Sequence, residues 1–115
     1  MMREPVTVRK PWGSFRQFAF NEPCTVKIIV VKAGEAISLQ RHEGRSEFWR
    51  VLSGEPLVTI DEKETTAKPG DEFFIPRQTN HRLAGQQEDC QVLEVSFGFF
   101  DEHDITRIED KYGRV

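Results

Sequence analysis

Gln40, His42 and Glu47 stand within one short segment, GEAISLQRHEGRSEFWRVLSG, bounded by Gly34 and Gly54. An amide oxygen, an imidazole and a carboxylate are all donors to a divalent cation. A small set of this kind leaves coordination positions open for water or substrate. Three donors alone make a thin cage. The candidate for a fourth is His81, which follows Gly70, Pro76 and a polar turn in GDEFFIPRQTNHRLAG. A turn there can aim the imidazole back across a barrel.

The elements that must position these groups read as strands. Apolar and β-branched runs recur at Ser14–Phe20, Thr25–Val31, Phe48–Leu52, Leu57–Ile60, Glu72–Ile75 and Gln91–Phe99. Turn chemistry separates them at Asn21-Glu22-Pro23, Ala33-Gly34, Ser53-Gly54, Pro69-Gly70 and Ala84-Gly85. No window carries apolar residues at helical spacing over three turns. Only the stretch after Phe100, with Asp101 as a cap, predicts a short helical turn. Many short strands without a long helix predict an all-β sandwich or barrel. Gln40 and His42 are two apart and share a side if extended. Glu47 opens the next apolar run after Glu43-Gly44-Arg45, and a hairpin at that connection would return it beside the other two. In Gln91–Gly98, Val92, Glu94 and Ser96 share one face and Leu93, Val95 and Phe97 the other. A carboxylate in such a strand is desolvated, which raises its pKa and suits it to acid–base work.

A chain of 115 residues is read as one domain, residues 1–115. Its composition, 37% hydrophobic and 10% aromatic, excludes the disordered class. A net charge of −3 with scattered basic residues gives no phosphate-neutralising face, so no nucleic-acid partner is expected. The longest apolar run, Ile28 to Val31, is too short to span a membrane, and MMREPVTVRK lacks a signal-peptide core. Cys24 and Cys90 follow no CxxC spacing; one structural disulfide is an alternative, but they read first as two buried or half-buried thiols in a reducing cytosol. The expectation is a cytoplasmic domain.

The spacing of the two segments resembles the cupin motifs G-x5-H-x-H-x3,4-E-x6-G and G-x5-P-x-G-x2-H-x3-N. Here they read Gly34-x5-Gln40-x-His42-x4-Glu47-x6-Gly54 and Gly70-x5-Pro76-x-Gln78-x2-His81-x3-Gly85. The resemblance implies a double-sheet β-barrel of the jelly-roll kind. It narrows through Lys10-Pro11-Trp12-Gly13-Ser14-Phe15, similar to the R-P-W-G-S-[YF] opening of type II mannose-6-phosphate isomerase domains. The block Ser38-Leu39-Gln40-Arg41-His42 through Glu47-Phe48-Trp49 is similar to L-S-L-Q-x-H-H-H-R-[AS]-E-H-W, and His81-Arg82-Leu83 to H-R-L. The ending Asp104-Ile105-Thr106-Arg107-Ile108-Glu109-Asp110-Lys111-Tyr112-Gly113-Arg114 is similar to D-I-x-R-x-E-D-x-Y-G-R. Such domains usually form the C-terminal part of mannose-1-phosphate guanylyltransferases; no nucleotidyl-transfer domain is read in this sequence.

The resemblance implies that Gln40, His42, Glu47 and His81 hold one divalent metal ion, with zinc as the family expectation. The mixed nitrogen and oxygen set also suits cobalt, manganese, nickel or iron. The implied activity is interconversion of mannose 6-phosphate and fructose 6-phosphate. Glu94 is the candidate base, Arg45 a second candidate for the chemical step, and Arg82, Arg107 and Lys27 the candidates for binding the sugar phosphate. The chain departs from the family at Glu43-Gly44, where histidines continue, and at Phe48, where a histidine follows the metal-binding glutamate. If that imidazole does chemistry, the alternative is a non-catalytic, metal-containing cupin that binds a sugar or another small ligand. A homodimer is expected, because exposed strand edges on small barrels are often covered by a partner.

Overall fold

The computed structural model describes residues 3–115. Eleven strands follow in chain order: β1 (Val6–Lys10), β2 (Gly13–Gln17), β3 (Cys24–Val31), β4 (Leu39–Arg41), β5 (Ser46–Ser53), β6 (Leu57–Ile60), β7 (Lys63–Thr66), β8 (Glu72–Ile75), β9 (His81–Ala84), β10 (Cys90–Phe97) and β11 (Thr106–Glu109). All pairings are antiparallel. One sheet has the order β3-β10-β5-β8, the other β11-β4-β9-β6-β7, and β1 and β2 form a separate hairpin turned at Pro11-Trp12.

Strand alternation sorts the side chains onto faces. Trp49, Val51 and Val92 from the first sheet meet Val58 and Leu83 from the second, with Val31, Ile75 and Cys90, in one buried core. The opposite face of β5 and β10 carries Phe48, Val95 and Phe97, which are covered by Phe18, Ala19 and Phe74. Both faces of these two strands are therefore buried along Glu47–Trp49 and Glu94–Phe97, where the inner face carries the polar Glu47, Glu94 and Ser96. The edge strand β3 differs: Val26, Ile28 and Val30 point outward and remain 57–59% exposed.

Three expectations are corrected. First, no helix forms after Phe100. The Asp101 carboxylate accepts the His103 N–H at 2.9 Å and closes a single turn, and the chain then extends into β11 along β4. Second, β4 and β5 are not a hairpin: they belong to different sheets, and residues 42–45 cross between them. Third, only Cys90 is buried, whereas Cys24 is exposed. The two thiols lie at opposite ends of the β3–β10 ladder, where Cys24 faces Phe97 and Cys90 faces Val31, too far apart to bridge. Five strands escaped the sequence pattern because they are short, or polar on the solvent side, and take their order from neighbours.

A candidate metal and substrate site between the sheets

The crossing at residues 42–45 does what a hairpin was expected to do. Gln40 on β4 lies directly opposite His81 on β9, and Glu47 enters from β5 in the facing sheet. His42, Glu47 and His81 are all buried and present ligand atoms within 4.8 Å of one another. Glu47 Oε1 is 3.0 Å from His81 Nε2, and Glu47 Oε2 is 3.8 Å from His42 Nε2. The His42 and His81 rings lie 5.1 Å apart, and Trp49 packs edge-on against His81.

Each imidazole has its δ nitrogen committed to a backbone carbonyl. His42 Nδ1–H donates to the Asp104 carbonyl at 2.7 Å, and His81 Nδ1–H donates to the Thr79 carbonyl at 2.9 Å. Anchoring of this kind fixes ring orientation and leaves the ε nitrogens as lone-pair donors. Those lone pairs converge with the Glu47 carboxylate, so acceptor faces acceptor. Glu47 Oε1 and His81 Nε2 are accordingly buried without a hydrogen-bond partner. Orphaned acceptors in a dry site are what a cation satisfies, and the residues present fit a divalent ion. Gln40 completes the set with its amide nitrogen 3.3 Å from His42 Nε2, while its Oε1 accepts from Ser38 Oγ at 2.6 Å. A flip of the amide presents oxygen to the site and turns the NH2 toward the Ser38 hydroxyl, which can accept it.

Burial favours a neutral His42, holding its pKa below the ordinary imidazole value against the pull of Glu47. For Glu47, burial opposes ionisation, and only positive partners offset it: with the His81 and then the His42 imidazole protonated toward it the carboxyl falls to about 2, the same pull that a cation held between them would exert. Glu94 behaves in the opposite way. Burial first, and the Glu47 carboxylate second, push it up to about 7. Ser96 Oγ lies between the two, 3.3 Å from Glu94 and 3.4 Å from Glu47, and the Trp49 indole donates to Glu94 at 3.0 Å. Two neighbouring buried carboxyls thus divide into one ionised group and one poised near neutrality.

A cavity of about 730 Å³ opens beside this cluster, with Gln40, Glu47, Glu94, Lys27, Arg45 and Arg107 among its lining residues. Lys27 is the cross-strand neighbour of Glu94, and its ammonium sits 4.0 Å from the centre of the Phe100 ring. Arg107 reaches in from β11 opposite Gln40, and its Nε is buried without a partner. Arg45 is itself buried: Nη2 is 3.2 Å from His42 Nε2, Nε is 3.5 Å from Glu47, and Nη1 donates to the Asp101 carbonyl. Arg82 is not among the lining residues. Its guanidinium is spent on the Ile37 carbonyl and on the side chain and carbonyl of Glu109, where it ties β9 to β11. Phe100 and Asp104 are contributors that strand patterning could not find, because both lie in the irregular segment before β11.

The departure at position 48 has a simple geometry. Phe48 points away from Glu47, into the outer cluster with Val95 and Phe97. A histidine there would face the same way, so the missing imidazole is not missing from this site.

Two antiparallel sheets enclosing a buried His/Glu/His cluster beside an open cavity define a cupin. A cupin protein of known structure from Bacteroides fragilis superposes with a TM-score of 0.60 at 22% identity, over 65% of each chain. The chain belongs to the family described as "Mannose-6-phosphate isomerase C-terminal", whose model matches residues 2–110. It is 39% identical over 110 residues to the alginate biosynthesis protein AlgA of Pseudomonas aeruginosa, covering 94% of this chain and 23% of AlgA. It is 36% identical over 110 residues to the mannose-1-phosphate guanylyltransferase ManC of Salmonella typhimurium, with the same coverage. The chain therefore spans about a quarter of the length of these two relatives. Among the described residues, no helix is long and apolar enough to cross a membrane.

Proposed function

We propose that this cupin is an aldose–ketose isomerase that interconverts mannose 6-phosphate and fructose 6-phosphate at the cavity between the sheets. The observation that carries the reading is Glu94: a buried carboxyl, held near pKa 7 beside an ionised Glu47, in a cavity lined by Lys27, Arg45 and Arg107. A group half-ionised at neutral pH can both take and return a proton. In this mechanism Glu94 takes the proton from C2 of the open-chain sugar and delivers it to C1. A second proton passes from the C2 hydroxyl to the C1 oxygen. Arg45 offers positive charge to the enediolate, and Arg107 and Lys27 hold the phosphate. A divalent ion, with zinc the family's expectation, would be held by Gln40, His42, Glu47 and His81. When bound it supplies Lewis-acid polarisation of the sugar oxygens.

A second reading, a sugar-binding cupin without turnover, draws support from Arg45. Its guanidinium stands against the same His42 and Glu47 atoms that would ligate the ion. The experiment that separates the two is proton NMR of mannose 6-phosphate in D2O with zinc-loaded protein. Fructose 6-phosphate, with deuterium at C2 of the recovered mannose 6-phosphate, is the expected result. Metal-loaded protein giving neither product nor exchange refutes the isomerase reading. The proposal includes a homodimer, supported by the exposed apolar stripe on edge strand β3, and a cytoplasmic setting in which sugar phosphates are at hand.

A further inference from the structure

We propose that Asp104 is the positioning residue for His42, locking that imidazole with its ε nitrogen turned into the site. The inference rests on the metal reading above for its consequence, but not for its geometry. Asp104 lies 62 residues after His42 in the chain and meets the connection between β4 and β5 at three points. Its carbonyl accepts the His42 Nδ1–H at 2.7 Å. Its carboxylate accepts the next two backbone N–H groups, from Glu43 through Oδ1 and from Gly44 through Oδ2, each at 2.8 Å.

The three bonds are geometrically coupled. The carbonyl can reach the imidazole only if residue 104 is held over residues 42–44; the pairing of β11 with β4 brings the segment there, and the carboxylate fixes it against the loop. A short loop between strands of different sheets has no ladder of its own, so its free N–H groups need side-chain acceptors. Gly44 gives the carboxylate room, since a Cβ at that position would stand 3.1 Å from Asp104 Oδ2. The departure from the family's histidine run at Glu43-Gly44 thus falls on the two residues that Asp104 grips.

His81 supplies an internal contrast. Its Nδ1–H is held by the carbonyl of Thr79, two residues away in the turn that opens β9, so its orientation is set locally. His42 depends instead on a segment brought from the far end of the chain. That segment also carries Phe100 and Ile105 of the cavity wall and the Asp101 carbonyl that receives Arg45. One residue therefore couples the shape of the cavity wall to the aim of a ligand.

The test uses Asp104→Ala and Asp104→Asn, with zinc affinity measured by competition against a chromophoric chelator and ring tautomers read by 15N–1H NMR. In the metal-free wild type, His42 is expected as the Nδ1–H tautomer. In Asp104→Ala the His42 ring signals should broaden or shift while those of His81 stay in place, and zinc affinity should fall about 10–100-fold. Asp104→Asn retains one acceptor oxygen and should fall between. A purely stapling role would lower the thermal midpoint with zinc affinity and the His42 signals unchanged, which overturns the proposal. A wild-type His42 protonated on Nε2 overturns it even if Asp104→Ala fails to fold. If the wild type binds no zinc, the metal reading fails by itself, and the tautomer measurements still decide whether Asp104 positions His42.

Discussion

Replacing Glu94 by Gln separates the electrostatics of this site from its shape. The folded protein holds the Glu94 carboxyl at about 7, against an ordinary value of 4.5. Because the folded pKa is raised, the native state binds this proton more tightly than the unfolded chain. The associated stability is fully present below pH 4.5 and is lost as pH rises through 7. Across that window the shift corresponds to about 3 kcal/mol. The amide has the same outline: its oxygen can accept the Trp49 N–H, and its NH2 can donate to Ser96 Oγ once that hydroxyl, which donates to Glu94 in the wild type, turns to Glu47. Urea denaturation of both proteins in chelator should therefore show Glu94→Gln gaining about 2–3 kcal/mol on wild type between pH 5 and pH 8. Glu47, brought down to about 2, titrates outside the window, and contributions common to both proteins cancel in the difference. A difference that is flat with pH, within about 0.5 kcal/mol, would mean that Glu94 ionises like an exposed carboxyl, and the assignment of Glu94 as base would lose its ground. In the zinc-loaded protein the same substitution should leave the ion bound and abolish isomerisation.

Two further outcomes follow from the packing. Gly54 has φ +78°, and a Cβ there would stand 2.4 Å from the Asp89 carbonyl oxygen, so Gly54→Ala should cost about 2–4 kcal/mol in urea denaturation; a loss under about 0.5 kcal/mol would show that the β5–β6 turn shifts freely. Ile28→Asp places a charge in the outward stripe of β3 without touching the cavity. Sedimentation should show wild type at twice the monomer mass and the variant at the monomer mass with unchanged circular dichroism. Wild type at the monomer mass refutes the homodimer.

What could be read from the sequence was what depends on local periodicity. Alternation along residues 91–98 put Glu94 on a face with Val92 and Ser96, and these residues do point between the sheets. The two-residue spacing of Gln40 and His42 put them on one side, and the amide and imidazole are 3.3 Å apart. The glycine-bounded spacing around Glu47 and His81 marked both as candidates, and tertiary structure brings their ligand atoms together. Phe48, read from the sequence as the place of a lost catalytic imidazole, points instead into the outer cluster, away from Glu47.

Other features belong to the fold as a whole. No local rule says that β4 and β5 join different sheets, because strand pairing is settled by which apolar faces can be buried together. Arginines look alike in sequence: Arg82 ends as a strut on Glu109, Arg45 is buried against the ligands, and Arg107 is left with a free Nε in the cavity. Their fates depend on acceptors that come from distant strands. Asp104 is the clearest case, since its work on His42 exists only when β11 docks beside β4 and carries the preceding segment over residues 42–44. The donor types and the faces they share were legible along the chain, because a strand's period of two is local. Which donors converge, which carboxyl titrates near neutrality and which guanidinium keeps an unpartnered nitrogen were settled by tertiary contacts, because burial and the neighbouring charges arise only once the sheets close.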